Sequence, residues 1–576
     1  MFATLALLVA CSLFTVLDGS DTQYIRLIQA GFYSFAIWVV LWALLQKAWL
    51  LLAFAAPAAL LLPLELWLRL EFGVPISSHT VALWYETSAG EVANFMVTYG
   101  AKLLACYVAW VLLYGGAIWM TYRHTILWKN RANVWCIVML PFVIGAQYAL
   151  AGAPPWVVEV ASDDPFDGRA VEGWSREWEE IFPVNVVVAF QQYEIELKKL
   201  QATQHALEKQ RLNGQLIRPE EGPDAVVLII GESSSAERWG LLGYSRKTTP
   251  RLQAEPGLVA FSDVVALSGA TRSAIPAVLS RRPVLRPDGV VDRLAEPSLI
   301  RAFREAGFQT HWFSNQSPFG KYDAPVAVYA REAEDLRFFN PSTYRSKSSL
   351  DEILLEPLKA ALVSPGRHLV VLHTLGSHFD YALRYPEAFD QFQPSARNGA
   401  SSLAMSERGH QLISNSYDNS ILYTDYVISE AIQLAKSRKG KTLVAYFSDH
   451  GVDLPGGSCP YREETRRGES AFRVPVLFWL SPDMREVHSG QWKTLLSNQH
   501  NAYTTRAMYS ALLDLAGIQV AGRQPAENFL LTPVRDKNPR MVAVGGRMVN
   551  FDLARSQDAC RITPLPQTMA ETARTQ

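Results

Sequence analysis

AVVLIIGESSSAERWGLLGYSRKTTPRL, residues 225–252, is followed by the strand-like GLVAFSDVV at 257–265 and the turn ALSGATRSAIP at 266–276. The apolar run from Ala225 to Ile230 ends in Gly231 and Glu232. That is the pattern of a buried parallel strand delivering a carboxylate at its carboxyl end, where open α/β sheets place their ligands. Thr271 stands in a Gly269-Ala270-Thr271-Arg272 turn ahead of Ile275-Pro276-Ala277-Val278-Leu279. A Pro close to a helix start marks the turn as a helix amino terminus, a place suited to phosphate. Far downstream, the apolar run Thr442 to Phe447 ends in Ser448-Asp449-His450-Gly451. Glu232, Asp449 and His450 on two strand ends, with the Thr271 hydroxyl, form a candidate metal site. Such a mixture of nitrogen and carboxylate ligands suits zinc. Coordination would lower the pKa of the Thr271 hydroxyl and make it a nucleophile.

Together, GESSSAERWGLLGY, RKTTP, SGATRSAIP, LHTLGSHFDYALRYP, SYDNSILYTDYV and YFSDHG resemble the membrane-bound phosphoethanolamine transferases. These enzymes modify lipopolysaccharide in Gram-negative bacteria, and the family includes the mobile colistin-resistance enzymes. The resemblance spans roughly Ser77 to Gly517. It implies an alkaline-phosphatase or sulfatase-like α/β fold, zinc with manganese second, and a two-step transfer. Thr271 would take phosphoethanolamine from phosphatidylethanolamine and pass it to a lipid A phosphate or a core sugar.

The chain has 576 residues, more than one ordinary domain, and a net charge of -1, which indicates no bulk attraction to nucleic acid. Its apolar runs are concentrated near the start: about Phe2 to Leu17, Ala30 to Leu45, Ala48 to Leu68, Leu103 to Thr121 and Val134 to Ala153. Each approaches the length of a membrane span, so the fold class expected is an α-helical membrane domain of five spans joined to an α/β domain with a mostly parallel sheet. Arg123, Lys129 and Arg131 after the fourth run, and Lys47 after the second, place those loops in the cytoplasm. Everything after Pro154 then faces the periplasm of a Gram-negative inner membrane, and a monomer is expected. Cys11, Cys106 and Cys136 lie in expected spans, leaving Cys459 and Cys560 as a conceivable pair in an oxidising compartment.

The domains read as 1–155 for the membrane part with an outer loop at 71–101, 156–222 for a bridge, 223–556 for catalysis and 557–576 for a tail expected to be disordered. Within the catalytic part, strand-like runs at Ala225 to Ile230, Gln309 to Phe313, Leu369 to Leu372, Thr442 to Phe447 and Val474 to Leu480 alternate with helical segments such as Leu350 to Leu362, Ile421 to Ala435 and Thr504 to Leu515. From Ala521 the signal weakens.

Further candidates follow from the resemblance. His373 and His378 stand in one turn after the Leu369 to Leu372 run, where either could contact donor phosphate or a second metal, and His378 matches the family position for that duty; Lys321 follows an Asn315-Gln316 pair, as a phosphate-neutralising lysine does in the family. Thr87 and Glu91 match headgroup-holding positions of the outer loop, where Leu83 replaces an amide. Arg272, beside the nucleophile, could clamp the phosphate. Ser233, Ser234 and Ser235 more plausibly shape a turn. A histidine that the colistin-resistance enzymes carry before the last strand is missing from GSCPYREETRRGESAFR, where Arg462, Arg466 or Arg467 could replace it.

Three rival functions were open. A lipid phosphoglycerol transferase of the lipoteichoic-acid-synthase type would share the layout. A sulfatase would need a C/S-x-P-x-R pattern, and Cys459-Pro460-Tyr461-Arg462 has the wrong spacing. A membrane scaffold without turnover would have no use for Glu232, Thr271, Asp449 and His450.

Overall fold

The computed structural model describes residues 21–72, 101–128, 130–139, 181–281, 296–316, 324–340, 349–398, 407–455, 468–522, 527–532, 539–544, 547–560 and 562, with 8, 9, 75, 76, 80, 81, 84, 85 and 142. The chain divides into two compact units. One comprises Met1–Asp163, Asp167–Leu197 and Arg345–Lys347; the other comprises Asp164–Phe166, Lys198–Tyr344 and Ser348–Gln576. The stretch expected as a bridge is therefore shared between them.

In the first unit, helices α1 (Asp21–Leu45), α2 (Ala48–Phe72) and α3 (Ala101–Arg123) cover the second, third and fourth expected spans. Among the described residues, Ala48–Arg69 and Leu104–Arg123 are long and apolar enough to cross a membrane, and Gly31–Leu45 is a shorter apolar helix. The first and fifth expected spans fall mostly outside the described residues. Helix α2 contains Pro57 and Pro63. Pro63 has no N–H to donate to the carbonyl four residues back, which is that of Ala59. Trp110 Nε1 on α3 donates to that carbonyl at 2.6 Å, so a neighbouring helix satisfies the group the proline frees. Near the end of α2, Arg69 Nε donates to Glu65 Oε1 at 2.7 Å, and both residues are buried.

The second unit is built on a seven-stranded sheet. In chain order its strands are β1 (Ala225–Gly231), β2 (Leu258–Phe261), β3 (Gln309–Ser314), β4 (Asp335–Phe338), β5 (His368–His373), β6 (Thr442–Ser448) and β7 (Val476–Leu480). They lie in the order β2-β7-β6-β1-β5-β3-β4. The sheet is mixed: β7 runs antiparallel to both its neighbours, and the other pairings are parallel. Strands β1, β5 and β6 are buried along their whole length, which is why they read as continuous apolar runs rather than alternations.

Helix α4 (Val184–Glu208) precedes the sheet in the chain. Helices α5 (Thr271–Leu279), α6 (Leu299–Glu305), α7 (Ala324–Ala330), α8 (Leu355–Val363), α9 (Glu407–Ser437) and α10 (Ala507–Ala516) pack around the sheet. Helix α9 presents Tyr417, Ile421, Ile428 and Ile432 at helical spacing to Val227, Ile229, Val444 and Tyr446 of the sheet, in one hydrophobic core.

Two segments differ from the sequence reading. Helix α9 begins at Glu407, well before Ile421, because its polar first half is buried by specific partners instead of by apolar periodicity. After Ala521 the chain forms an antiparallel hairpin, Met541–Val544 with Arg547–Asn550, and a helix Phe551–Gln557. These pack Val542, Val549, Phe551 and Ile562 into a second small core; the rest of the expected tail, 563–576, lies outside the described residues. Cys560 is disulfide-bonded, while Cys106 and Cys136 carry free thiols.

Candidate active site

Strand β1 lies at the centre of the sheet between β5 and β6, so the crevice beyond its carboxyl end is where an open α/β sheet binds ligands. Gly231 of β1 pairs in register with Ser448 of β6, so the next residues, Glu232 and Asp449, leave the sheet side by side. Gly231 is the residue type this register needs, because a Cβ there would stand 2.2 Å from the Tyr446 hydroxyl.

The turn after Glu232 is held by hydrogen bonds. Ser233, at φ 55°, is in the left-handed region. Its N–H donates to Asp449 Oδ1 at 3.0 Å, and its hydroxyl donates to Glu232 Oε1 at 2.6 Å. Ser234 N–H donates to Ser448 Oγ at 2.9 Å, and Ser235 N–H donates to the Tyr417 phenol oxygen at 2.7 Å. That phenol in turn donates to Ser233 O at 2.7 Å. The three serines therefore shape the turn and orient its carboxylate. Tyr417, inside the SYDNSILYTDYV motif, is a site residue that residue-by-residue reasoning missed.

Thr271 is the first residue of α5, capped by the extended Ala270, and Pro276 sits inside the helix instead of at its start. The Thr271 hydroxyl lies 2.6 Å from Asp449 Oδ2, 3.1 Å from Glu232 Oε2 and 3.4 Å from His450 Nε2. His450 Nδ1 is 2.8 Å from Gly451 O, a contact that places the proton on Nδ1 and leaves the Nε2 lone pair facing the two carboxylates. His450 N–H donates to Asp449 Oδ1 at 2.7 Å, so the other Asp449 oxygen is left to the site.

Glu232, Asp449 and His450 are buried, and one donor atom from each lies within 4.8 Å of the others. Burial, and then the Asp449 carboxylate beside it, push the Glu232 carboxyl above its usual range; burial does the same to Asp449. Two buried carboxylates facing one another are unfavourable unless a cation joins them. With the His450 lone pair as a third donor and the Thr271 hydroxyl beside them, the group has the composition of a catalytic metal centre that keeps a position open.

Other expected residues fall in several places. Gln316 Nε2 donates to Thr374 O at 2.7 Å and approaches Glu232 Oε2 at 3.4 Å, which puts it at the edge of the site. His378 is half-buried, and its positive charge, when present, is close enough to lower the Glu232 pKa. Its Nδ1 lies 2.6 Å from Phe379 O. Arg272 is half-buried at the second position of α5. His373 is buried at the end of β5, where its Nδ1 lies 3.2 Å from Ser314 Oγ. Lys321, Thr87 and Glu91 lie outside the described residues, as do Arg462, Arg466 and Arg467.

Asp351 was not anticipated. Its buried carboxylate accepts from Leu375 N and Gly376 N, each at 2.8 Å, and from Asn315 Nδ2 at 2.8 Å. It thereby pins the turn after β5 against Glu232. Nothing in its local sequence marks that role.

A family model described as Sulfatase matches residues 224–518, about half of the chain. The chain belongs to the sulfatase family. Within that family its similarities lie with phosphoethanolamine transferases, in agreement with the motifs. Phosphoethanolamine transferase EptC of Escherichia coli O18:K1:H7 is 25% identical over 471 residues, covering 80% of this chain and 78% of the relative. Phosphoethanolamine transferase EptA of Escherichia coli O157:H7 is 30% identical over 329 residues, 55% of this chain and 57% of the relative. Among solved structures, the C-terminal periplasmic domain of EptC from Escherichia coli in complex with zinc matches with a TM-score of 0.51 and 26% identity, covering 59% of this chain and 96% of that domain. The α/β unit is thus a sulfatase-family domain with the alkaline-phosphatase-like architecture anticipated from the motifs.

Proposed function

We propose that this sulfatase-family chain is a phosphoethanolamine transferase. It would take phosphoethanolamine from phosphatidylethanolamine and deliver it to lipopolysaccharide, at a lipid A phosphate or a core sugar. The observation that carries the reading is the Thr271 hydroxyl, held 2.6 to 3.4 Å from two buried carboxylates and an imidazole. The curated relatives named as phosphoethanolamine transferases, one of them a Kdo(2)-lipid A phosphoethanolamine 7''-transferase from Salmonella typhimurium at 30% identity over 318 residues, support the substrate class.

Thr271 Oγ1 attacks the phosphorus of the donor, and the bond from phosphorus to the diacylglycerol oxygen breaks. Asp449 Oδ2, 2.6 Å away, orients the hydroxyl; its proton is released to solvent as the oxygen–phosphorus bond forms, and the diacylglycerol oxygen takes a proton from solvent as it departs. Phosphoethanolamine then remains on Thr271 until an acceptor oxygen displaces it and the threonine regains its proton. Glu232, Asp449 and His450 would hold zinc, with manganese second, and the ion would supply a Lewis acid that lowers the pKa of the Thr271 hydroxyl. Ser233, through its hydroxyl to Glu232 and its N–H to Asp449, keeps the carboxylates oriented through both steps. His378 and Gln316 flank the place where the phosphoryl group would sit, and Arg272, Lys321, Thr87 and Glu91 complete the substrate-binding set.

The same reading takes the first unit as five spans in an inner membrane and the catalytic unit as periplasmic. Exposed apolar side chains along α3, among them Leu104, Leu112, Trp119 and Met120, support a lipid-facing surface there. The domain limits of this reading are 1–155, 156–222, 223–556 and 557–576, and the protein acts as a monomer.

The test is mass spectrometry of lipopolysaccharide from cells expressing the full chain or its Thr271→Ala variant, with metal analysis of both purified proteins. An added phosphoethanolamine that disappears in the variant is expected, with one bound zinc. An unchanged lipopolysaccharide pattern in cells making the folded wild-type protein would refute it.

A further inference from the structure

A cavity rich in arginine lies in the α/β unit and is not lined by Thr271. It has a volume of about 200 Å³ and is lined by Arg211, Arg301, Arg304 and Arg331, with Glu208 and Glu332. Four guanidinium groups thus face two carboxylates. A nearby carboxylate, Glu305, is engaged with the backbone, accepting from Gly214 N–H at 2.9 Å and Leu212 N–H at 3.4 Å.

Arg301 is the decisive residue. It is 5% exposed, and its buried Nε has no hydrogen-bond partner. The nearest opposite charge, Glu332 Oε1, stands 3.8 Å from Arg301 Nη2, beyond a good charge-assisted hydrogen bond. The other Glu332 oxygen accepts from Ser298 N–H at 2.8 Å and from the Ser298 hydroxyl. The Arg301 Nε–H is a buried donor without an acceptor, which is costly, so a group bringing acceptor oxygens would gain by entering. Burial, together with Arg304 and Arg211 nearby, works against the charge on Arg301, and Glu332 compensates only in part.

The cavity lies toward the amino end of β3, whereas the reactive threonine stands at the carboxyl-end crevice beside Glu232 and Asp449. Helix α6, which carries Arg301 and Arg304, leads into the beginning of β3, and Glu334 N–H, just beyond Arg331 and Glu332, donates to Thr310 O near that beginning. The six residues of β3 then run roughly 20 Å toward the carboxyl-end crevice, at about 3.3 Å per residue.

We propose that this cavity is an accessory binding site for a phosphate group, separate from the transfer site. Arginine is suited to it because its planar fork grips phosphate oxygens two at a time. The phosphate could be carried by a lipid headgroup or be free in solution, and the chemistry of the cavity is the same for both. The proposal does not rest on the transferase reading.

The test uses full-length protein purified in dodecyl maltoside. Inorganic phosphate is titrated by calorimetry, and phosphatidic acid is offered in native mass spectrometry against diacylglycerol, which lacks only the phosphate. Arg304→Gln and Arg211→Gln are compared with wild type, since Arg304 is half-buried and Arg211 exposed, and circular dichroism checks that both variants keep the fold. Binding should fall at least tenfold in both variants and survive Thr271→Ala. An isotherm with inorganic phosphate assigns the site to free phosphate. Retention of phosphatidic acid over diacylglycerol without an isotherm assigns it to a lipid headgroup. Absence of both signals, or binding equally strong in Arg304→Gln and Arg211→Gln, overturns the proposal.

Discussion

Replacing Tyr417 by Phe removes one oxygen and leaves the ring packed where it is, so the consequence can be followed group by group. The phenol accepts from Ser235 N–H and donates to Ser233 O, both at 2.7 Å, and Tyr417 is fully buried. Its loss leaves a buried donor and a buried acceptor unmet on either side of Ser234. Each costs about 1–3 kcal/mol, so the turn loses roughly 2–6 kcal/mol of local stability. The same turn supplies Ser233 N–H to Asp449 and the Ser233 hydroxyl to Glu232. Residues that orient metal ligands typically change metal affinity about 10–100-fold. Competition of purified Tyr417→Phe against a zinc chelator should therefore show zinc affinity lowered by about that factor, with transfer lowered alongside it. Circular dichroism should show the fold retained. If the variant holds zinc as tightly as wild type, the phenol does not organise the turn and the account of Glu232 orientation fails.

Gly376 adopts φ 52°, and a Cβ there would lie 2.7 Å from Glu232 O and 2.9 Å from Glu232 N. Gly376→Ala should lose about 1–3 kcal/mol from backbone strain alone, read by chemical denaturation, and should lose transfer through displacement of Glu232. Asp351→Asn presents an amide to backbone donors of Leu375 and Gly376 that now meet a carboxylate. A drop in transfer rate with little change in overall secondary structure is expected, and normal turnover would show that the turn needs no carboxylate. Burial lowers the His373 imidazole pKa to about 3. Unfolded chains then bind a proton below pH ~6.5 that the native protein does not. Native stability is complete above that pH and falls toward pH 3, by about 1.4 kcal/mol per unit. Denaturation of wild type and His373→Gln between pH 7 and 5 should show wild type losing stability faster than the variant as pH falls, by up to about 1.4 kcal/mol per unit; parallel slopes would exclude a His373 contribution.

Much of the architecture was legible locally. A strand buried on both faces must be apolar throughout, so Ala225–Gly231, His368–His373 and Thr442–Ser448 declared themselves, and the carboxyl ends of two of them carried Glu232 and Asp449-His450. The reversed direction of β7 had no such signature, because an apolar strand reads alike both ways. The antiparallel pairing of Met541–Val544 with Arg547–Asn550 left a usable clue in the Gly545-Gly546 that separates the two runs in sequence, a dipeptide suited to a tight turn. The first half of α9 left a misleading one. Asp418 reads as a surface residue, yet it is buried by Arg246 at 2.8 Å, Tyr244 at 2.9 Å and Arg238 at 3.5 Å, partners more than 170 residues away in sequence.

Residue type and periodicity thus specify which chemical groups exist and on which kind of element they ride, since both depend on neighbours a few positions apart. The meeting of Thr271 with Glu232 and Asp449, the tyrosine bridging Ser233 to Ser235, and the arginines gathered around Arg301 depend on register and packing between distant segments. The pairing of Gly231 with Ser448 sets where the two acids emerge, and no periodicity in either strand encodes that pairing.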